Sequence, residues 1–428
     1  MAIVTATDKL KQLFSDDWLN RIAKKHKLVK RMRDITPLRL VSAVVVALGD
    51  GSAASIADIL RAFNGITSDP ADRVEYKPFH NKLRQQGFAD LMQAVAQRAM
   101  VVFRDGINKQ VPEKLKRFTD VLIQDGSSFA VHDDLAEYFP GRFTKVSPAA
   151  VELHMTMSLL DHQPVNMTLT ADKESERACL PEPVTLANKL LLADAGYVGS
   201  AYMKEVDQHQ GNFLMRNSNA LNPEICGAFN TKGKELTKLI GLRLKQQRHG
   251  HSRYRVLDLD VRWKGFRCRA VRYWDCVEKR YLTWLTNLSR DEFSADEIMK
   301  IYRLRWQVEL LFKDLKSHNN LHRFVTRQPH MVTGLVWASV LSQLVKSYLG
   351  KMAQLKTGRL RISPLKTAAS AGEWLRPVMK SLATRFTTQL LADVGWALDY
   401  IAANCIRAPQ SKSRKDNGLY EIYEALNA

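Results

Sequence analysis

Three acidic residues lie in sequence contexts that could bind a ligand and take part in chemistry. Asp125 follows an apolar run in LIQDGSS, Asp194 follows another in LLLADAGYVG, and Glu309 lies within IYRLRWQVELLFKDLK. Carboxylates at the carboxyl ends of neighbouring strands in an α/β sheet face the crevice where ligands bind, so the two aspartates are candidates for one site. An aspartate before a glycine is also a common turn former, which leaves a purely structural role open for each motif alone.

The segment around Glu309 predicts a helix with one polar stripe. At about 100° per residue, the polar and aromatic side chains fall together; they are Tyr302, Arg305, Trp306, Glu309 and Lys316. The apolar residues fall on another face, which would pack on a sheet; they are Ile301, Leu304, Val308, Leu311 and Leu315. A simpler alternative is that Glu309 forms an ion pair with Arg305 or Lys313, four residues away on an exposed helix.

The spacing in this helix resembles the YREK signature of bacterial insertion-sequence transposases, the cut-and-paste DDE enzymes with an RNase H-like catalytic core. Here the signature reads Tyr302-x2-Arg305-x3-Glu309-x6-Lys316. Asp125-Gly126-Ser127 resembles the first-aspartate motif of that family, and Asp194-Ala195-Gly196-Tyr197 resembles the second. The three motifs occur in the expected order and cover roughly residues 117 to 320.

The resemblance implies that Asp125, Asp194 and Glu309 are both the catalytic residues and the metal ligands. A two-metal phosphoryl-transfer site needs carboxylates that hold two Mg²⁺ ions, one for the attacking oxygen and one for the leaving oxygen. Mg²⁺ prefers hard oxygen ligands and retains water, so three carboxylates and the scissile phosphate suffice without His or Cys. Mn²⁺ is the expected substitute ion.

The resemblance also implies DNA contacts around these carboxylates. Tyr302, Arg305 and Lys316 would contact DNA phosphates and the end nucleotides, and Trp306 would pack against DNA. Arg and Lys are well suited to phosphate oxygens. Relatives stack a flipped base on an aromatic residue about 28 positions before the Glu, which is Tyr281 here, with Trp284 close by. Either residue could be that platform, and ordinary aromatic packing explains both equally well.

The resemblance implies an enzyme that binds the terminal inverted repeats of its insertion sequence, cleaves the DNA with water and inserts the 3′-OH ends into target DNA. A homodimer is expected in the synaptic complex, with one subunit cutting the end held by the other. Some relatives pass through a DNA hairpin. Two other classes remain: a nuclease on the same fold that does not join DNA, and a DNA-binding protein with a dead site, against which the intact triad argues.

The sequence predicts helical segments and strand-rich segments in alternation, and these elements must position the site residues. The predicted fold is an α/β RNase H-like catalytic core interrupted by an all-β insertion and flanked by helical N- and C-terminal regions. The predicted regions are a helical DNA-binding region (1–116), the first part of the core (117–217), a β-rich insertion (218–290), the catalytic helix (291–330) and a helical C-terminal region assigned to dimerisation (331–428). Residues 409–418 read as a linker before a final helix.

Local signals predict several element boundaries. Thr36-Pro37 would begin a helix that ends at Asp50-Gly51, before a second helical run, SIADILRAF. This pair could be a DNA-reading helix-turn-helix or a plain packing unit. Ser294 and Glu297 form a capping-box pattern for one long helix from Ala295 to about Lys316.

Composition limits the function classes. The 428 residues include 64 Lys+Arg and 44 Asp+Glu, a formal charge of +20, so a polyanionic partner is expected. The apolar share of 45% excludes a disordered chain. Five scattered cysteines without a C-x-x-C pair fit a reducing compartment. Because no secretory signal or membrane-spanning run is visible, we expect a cytoplasmic protein that associates with the nucleoid through DNA and has no membrane partner.

Overall fold

The computed structural model describes residues 1–29, 31, 34–51, 53, 55–67, 69–104, 111–218, 220–247, 255–319, 326–358, 361–407 and 419–427. The predicted linker at 409–418 lies outside these residues. The N-terminal helices are α1 (Ala2–Leu13), α2 (Asp16–Lys25), α3 (Pro37–Gly49), α4 (Ile56–Asn64), α5 (Tyr76–Leu83) and α6 (Gln86–Val102). The Thr36 side chain accepts a hydrogen bond from the Arg39 amide and Pro37 opens α3, which confirms the predicted helix start.

A single mixed sheet forms the centre of the protein. Its strands are β1 (Asp120–Ala130), β2 (Ala150–Ser158), β3 (Gln163–Ala171), β4 (Lys189–Ala193), β5 (Asn212–Arg216), β6 (Glu224–Phe229), β7 (Val256–Trp263), β8 (Phe266–Asp275) and β9 (Arg280–Thr286). The strand order is β3-β2-β1-β4-β5-β9-β8-β7-β6. β1, β4 and β5 run parallel, and the other neighbouring pairs are antiparallel. The mixed α/β class is therefore confirmed.

The strands predicted for residues 218–290 are present, but they do not form a sheet of their own. β5 pairs with β9 through Leu214↔Thr286 to Arg216↔Trp284, and β8, β7 and β6 follow outward. The period-two pattern of these segments predicts strands but contains no information about which strand they pair with. An all-β insertion as a separate unit is therefore not confirmed, and we call β6 to β9 the sheet extension.

β1 is longer than its sequence predicts. Asp125 was expected to end this strand, but pairing with β2 continues from Gly126↔His154 to Ala130↔Ala150. The parallel pairing with β4 stops at Gln124↔Ala193. β1 and β2 therefore project beyond the end of β4 as an antiparallel hairpin, and Asp125 lies where this hairpin leaves the sheet.

The predicted long helix after Ser294 is broken. The capping box between Ser294 and Glu297 is present and begins α8 (Ala295–Arg303), but a second helix, α9 (Trp306–His318), follows after a two-residue break. Across the break the amide of Leu304 bonds to Ile301 O and that of Arg305 to Tyr302 O, so the turn tightens to i→i+3 bonds. The prediction of one continuous helix is therefore wrong at Leu304–Arg305.

The C-terminal part is helical, as predicted. It contains α10 (Pro329–Thr357), α11 (Pro364–Ala369), α12 (Ala371–Thr384), α13 (Thr387–Asn404) and α14 (Leu419–Asn427), with α7 (Ser200–Gln208) lying earlier, between β4 and β5. The long helix α10 packs against α3, α6 and α13, so N- and C-terminal helices share one apolar core with α8, α9 and one face of the sheet. The other face has a second core with α7. None of the helices in the described part of the chain has the length and apolarity needed to cross a membrane.

Candidate active site

Two aspartates lie side by side where the parallel strands end. The last parallel pair is Gln124↔Ala193, so the next residues, Asp125 and Asp194, occupy neighbouring positions at the end of β4. Asp194 then begins a short 3-10 turn over Ala195–Tyr197. Asp125 is held by its own backbone, because its Oδ1 accepts a hydrogen bond of 3.0 Å from the Gly126 amide. The structure therefore brings these two predicted site residues together.

Arg305 joins the third carboxylate to the first. Its Nη1 donates to Asp125 Oδ2 at 2.9 Å, and its Nη2 donates to Glu309 Oε1 one turn along the helix. The side chains of Arg305 and Asp125 are 14% and 16% exposed, so this cluster is largely shielded from water. The ion pair between Glu309 and Arg305 that the sequence left as an alternative is present, and it also includes the strand aspartate. Arg305 lies at the break between α8 and α9, immediately before the first residue of α9.

The electrostatics of Asp125 reflect this crowding. The pKa of its carboxyl is raised to about 6, mainly by burial and also by the charges of Glu309 and Asp194, although Arg305 and the Gly126 amide act to lower it. Like charges close together disfavour ionisation of each other, and an adjacent cation favours it. The three carboxylates therefore form one electrostatic group, with Arg305 as its internal counter-ion.

The other candidate residues of α8 and α9 lie at different distances from this carboxylate group. Tyr302 donates a long hydrogen bond of 3.4 Å to Asp194 Oδ1, and burial raises its pKa. Lys316 Nζ donates to Ser128 O at 3.0 Å, which places this lysine along the projecting hairpin. Trp306 is 49% exposed and directed to solvent. Tyr302 and Arg305 therefore contact the carboxylates, Lys316 lies farther along β1, and Trp306 is free to meet a partner.

The donor chemistry of this group suits a hard cation, because carboxylate oxygens are the ligands that Mg²⁺ prefers. Within the described ranges, however, no three His, Cys, Asp or Glu side chains converge closely enough to hold a metal ion. Arg305 lies between Asp125 and Glu309 and neutralises charge there. A metal ion bound by all three carboxylates would require this guanidinium to give up at least one of its two ion pairs.

Comparison with known proteins gives the family. Residues 116–344, more than half of the chain, match the family described as Transposase DDE domain. The chain belongs to this family. The matched span begins just before β1 and ends within α10, so it contains Asp125, Asp194 and Glu309. The family predicted from the sequence is thus confirmed, while the roles of individual residues in this DDE domain stay predictions.

Several insertion-sequence transposases are similar to this chain. The putative transposase InsL for IS186A of Escherichia coli (strain K12) and the transposase for IS421 of Escherichia coli are each 33% identical over 105 residues. Those matches cover 24% of this chain and 27% of each relative. The transposase for IS1151 of Clostridium perfringens is 19% identical over 401 residues, 83% of each chain. A piggyBac transposase synaptic complex with hairpin DNA aligns with a TM-score of 0.48 and 11% identity, over 95% of this chain and 87% of that one.

The two aromatic candidates of this DDE domain occupy different places on β9. Trp284 is buried, and its ring centroid lies 5.8 Å from that of Tyr302. Tyr281 is half-buried; its ring packs edge-on against Trp274 and beneath Arg272, and its hydroxyl accepts from Gln247. The structure thus connects Trp284 to the carboxylate group through Tyr302 and places Tyr281 within the sheet extension.

Sequence reasoning missed a polar cluster behind the first aspartate. Gly126 has no side chain, and a Cβ built there would lie 2.6 Å from Glu152 Oε1 and 3.1 Å from both His154 Nδ1 and Tyr197 Oη. Glu152 is buried on β2 and forms an ion pair of 3.0 Å with Arg142, and burial raises its pKa to about 7. The signal was present in VELHMTMS, where polar residues recur at period two and predict one polar face. Gly126 and Tyr197 therefore join the two aspartate motifs by close packing.

Proposed function

We propose that this DDE family member is a DNA transposase that binds the terminal inverted repeats of an insertion sequence, cleaves the DNA and inserts the 3′-OH ends into target DNA. The observation that carries the proposal is the grouping of Asp125, Asp194 and Glu309 around Arg305, within a chain of this family. The net charge of +20 supports a polyanionic substrate.

Residues 117–217 and 291–330 form an RNase H-like catalytic core in this proposal. The order β3-β2-β1-β4-β5 supports it, because an antiparallel meander is followed by two strands parallel to β1. α9 contacts β1, which supports its role as the helix that brings Glu309 to the strand aspartates. The sheet extension then lies between the second aspartate and this helix in sequence, while continuing the same sheet.

Transposases of the DDE type generally use divalent metal ions. We propose two Mg²⁺ ions, with Mn²⁺ as a substitute, held by Asp125, Asp194 and Glu309. When bound, such ions activate the attacking oxygen and stabilise the leaving oxygen of phosphoryl transfer. Arg305 neutralises Asp125 and Glu309 before binding, and its released guanidinium is then able to form bidentate hydrogen bonds with a DNA phosphate.

The residues around the carboxylates hold the DNA in this proposal. Tyr302, Arg305 and Lys316 lie on the α8–α9 side of the group and contact phosphates and end nucleotides near the cut. Trp306, which is about half exposed, packs against the DNA. A base would stack on Trp284 only if the side chain or Tyr302 moved, since Trp284 is buried; Tyr281 offers a partly open ring instead. We propose a homodimer in the synaptic complex, with the C-terminal helices supplying subunit contacts.

A strand-transfer assay tests the proposed function. A donor plasmid carrying the two element ends is incubated with the protein, Mg²⁺ and a target plasmid, and the joined products are sequenced. We expect 3′-OH ends joined to target DNA, and no joining when the terminal repeats are scrambled. Cutting of the ends without joining would instead indicate a nuclease on this fold. A hairpinned end among the intermediates would show that the two strands are cut by way of a hairpin.

A further inference from the structure

A basic surface lies on the N-terminal helices. Exposed cations lie at the end of α2, at Lys24 and Lys25, and in the turn that follows at Lys27, with Arg31 a few residues later. Helix α5 lies against this turn, because Lys82 Nζ donates to Leu28 O at 2.8 Å. The same turn packs on the start of α6, where a Cβ at Gly87 would lie 2.4 Å from His26 O. Two segments about 50 residues apart in sequence therefore form one surface.

Helix α5 has a polar face that points outward. Its inner side chains Phe79 and Leu83 are fully buried, whereas polar and aromatic side chains on the outward face recur at i, i+1, i+4, i+5 and i+8. These outward residues are Tyr76, Lys77, His80, Asn81 and Arg84. Glu75 and Asp72 are the exposed acids beside this face. Lys and Arg pair with guanine, and Asn pairs with adenine, in the major groove of DNA.

The helices beneath α5 hold it in a fixed position. The ring centroids of Phe63 in α4 and Phe79 in α5 are 5.2 Å apart. The connection between these helices is pinned by Asn64, whose side chain donates to Val74 O and accepts from the Val74 amide, both at 3.0 Å. An outer helix packed across a preceding helix is the arrangement that places a recognition helix in the major groove.

The earlier helix pair does not offer such a face. Every residue of α3 is buried, and the exposed side chain of α4 is Arg61, which is paired with Asp58. Residues 36–63, which the sequence left open as a helix-turn-helix, therefore have few outward side chains that could contact bases. The outward reading face lies one helix later, on α5.

Contacts also connect α5 to the catalytic strand. Arg84 at the end of α5 donates to Gln328 Oε1 at 3.2 Å, and the adjacent Arg327 donates to His132, two residues beyond β1. The carboxyl end of α5 thus lies beside the hairpin that carries Asp125. DNA held on α5 would lie next to that hairpin.

We propose that α5 reads the base sequence of a DNA duplex through Tyr76, Lys77, His80 and Asn81, while Lys24, Lys25, Lys27 and Arg31 bind its phosphates. The inference rests on the proposed function, since it names the surface by which the protein recognises the ends of its element. Phosphate contacts supply affinity that depends on salt but not on sequence, and base contacts supply the discrimination.

Binding measurements on full-length protein test this surface separately from catalysis. All variants carry Asp125→Ala, so that no DNA is cut, and fluorescence anisotropy compares a terminal-repeat duplex with a scrambled duplex over a range of salt. Lys77→Ala/Asn81→Ala is expected to reduce the preference for the terminal repeat by about tenfold or more. The matched control Lys11→Ala/Gln12→Ala removes an exposed lysine and amide from α1 and should preserve the preference.

The phosphate contacts predict a different change. Lys24→Ala/Lys25→Ala/Lys27→Ala is expected to weaken binding to both duplexes equally. It should also reduce the slope of log affinity against log salt by about 2.7. Lys11→Ala/Lys204→Ala/Lys380→Ala removes the same charge from dispersed exposed sites and should leave the slope nearly unchanged. If the α5 variant retains the wild-type preference, or both lysine triples act alike, the surface is assigned wrongly. If the parent protein itself shows no preference for the terminal repeat, the proposed end recognition fails instead.

Discussion

Arg269 and Arg305 each bind carboxylates on the same sheet, yet their surroundings differ. Arg269 in the sheet extension binds both oxygens of Asp258, at 2.8 and 2.7 Å, and its Nη1 donates to the carbonyls of Leu288, Ser289 and Phe293. Arg305 binds Asp125 and Glu309 with one nitrogen each. In the described part of the chain, its Nε has no hydrogen-bond partner.

This difference indicates that the Arg269 cluster is structural, whereas the hydrogen bonds of Arg305 are easier to exchange. A buried arginine with all its donors satisfied strongly destabilises the fold when it is removed. A guanidinium that makes one hydrogen bond to each of two carboxylates loses less free energy when a cation replaces it or when it turns to a phosphate. We infer that Arg269 fixes the connection to α8, whereas Arg305 keeps the like charges of Asp125 and Glu309 together and, in the proposed function, gives way to metal and DNA.

The largest expected effect concerns Arg269. Arg269→Met should reduce the free energy of unfolding by about 3–5 kcal/mol, because it removes a buried ion pair and the donor that three backbone carbonyls share. Urea denaturation measures this change. Arg290→Met, at the more exposed arginine that also binds Asp258, is the control and should cost about 1 kcal/mol or less. Equal losses for the two variants would contradict the structural role of Arg269.

Lys346 on α10 is a buried cation whose removal should have a smaller effect on stability than that of Arg269. It is 1% exposed, its Nζ donates to the carbonyls of Gly49 and His318 at 3.2 Å, and burial lowers its pKa to about 8. An unfolded lysine has a pKa near 10.4, so the unfolded state binds more protons between these values and stability rises with pH. The difference in free energy of unfolding between the wild type and Lys346→Met should therefore shift in favour of the wild type by about 2 kcal/mol from pH 7 to pH 10.

Paired denaturation curves at pH 7, 8, 9 and 10 measure that gain. Lys351 of α10, whose pKa burial also lowers, is half-buried and present in both proteins, so its titration largely cancels in the difference. A difference between wild type and Lys346→Met that does not change with pH would show that Lys346 keeps an ordinary pKa in the folded protein.

The function of Arg305 as an internal counter-ion predicts a gain on its removal. Arg305→Met should raise the affinity for Mn²⁺ by about tenfold at pH 8.5, because the guanidinium no longer competes for Asp125 and Glu309. Isothermal titration calorimetry without DNA measures this affinity independently of cleavage. Arg305→Lys keeps the charge and is the matched control. Weaker Mn²⁺ binding by Arg305→Met than by the wild type would mean that Arg305 assembles the carboxylates rather than competing with metal.

Tyr302 should show the smallest effect. Its hydroxyl makes only a long bond to Asp194, so Tyr302→Phe is expected to change the free energy of unfolding by about 0.5 kcal/mol. The ring and its packing on Trp284 remain. If the hydroxyl binds DNA, terminal-repeat affinity falls while stability does not. A loss of several kcal/mol in stability would place Tyr302 with Arg269 among the structural residues.

Local signals in the sequence predicted much of this structure. The caps at Thr36 and Ser294 depend on residues within one helical turn, and both are present. Period-two runs predicted the strands, with β8 matching FRCRAVRYWD from Phe266 to Asp275. The motifs around Asp125 and Asp194 predicted neighbouring aspartates, which the parallel register of β1 and β4 places side by side.

Pairings between distant segments could not be predicted in the same way. Local patterns do not say that β9 pairs with β5, that β1 continues past Asp125 on β2, or that N- and C-terminal helices share a core. Nor do they say that Arg305, at the break between α8 and α9, bonds to Asp125 across 180 residues. The division into five regions stays a prediction, as do the individual roles of the site residues.

In the proposed function, Asp125, Asp194 and Glu309 form the catalytic metal site. The most direct measurement is Mg²⁺-dependent cleavage of a terminal-repeat duplex by Asp125→Asn, Asp194→Asn and Glu309→Gln, with Glu205→Gln on the exposed face of α7 as the control. We predict that each site variant still binds the duplex but cleaves it at least about a hundredfold more slowly, while the control cleaves normally. Wild-type cleavage by any one of the three site variants would contradict the claim.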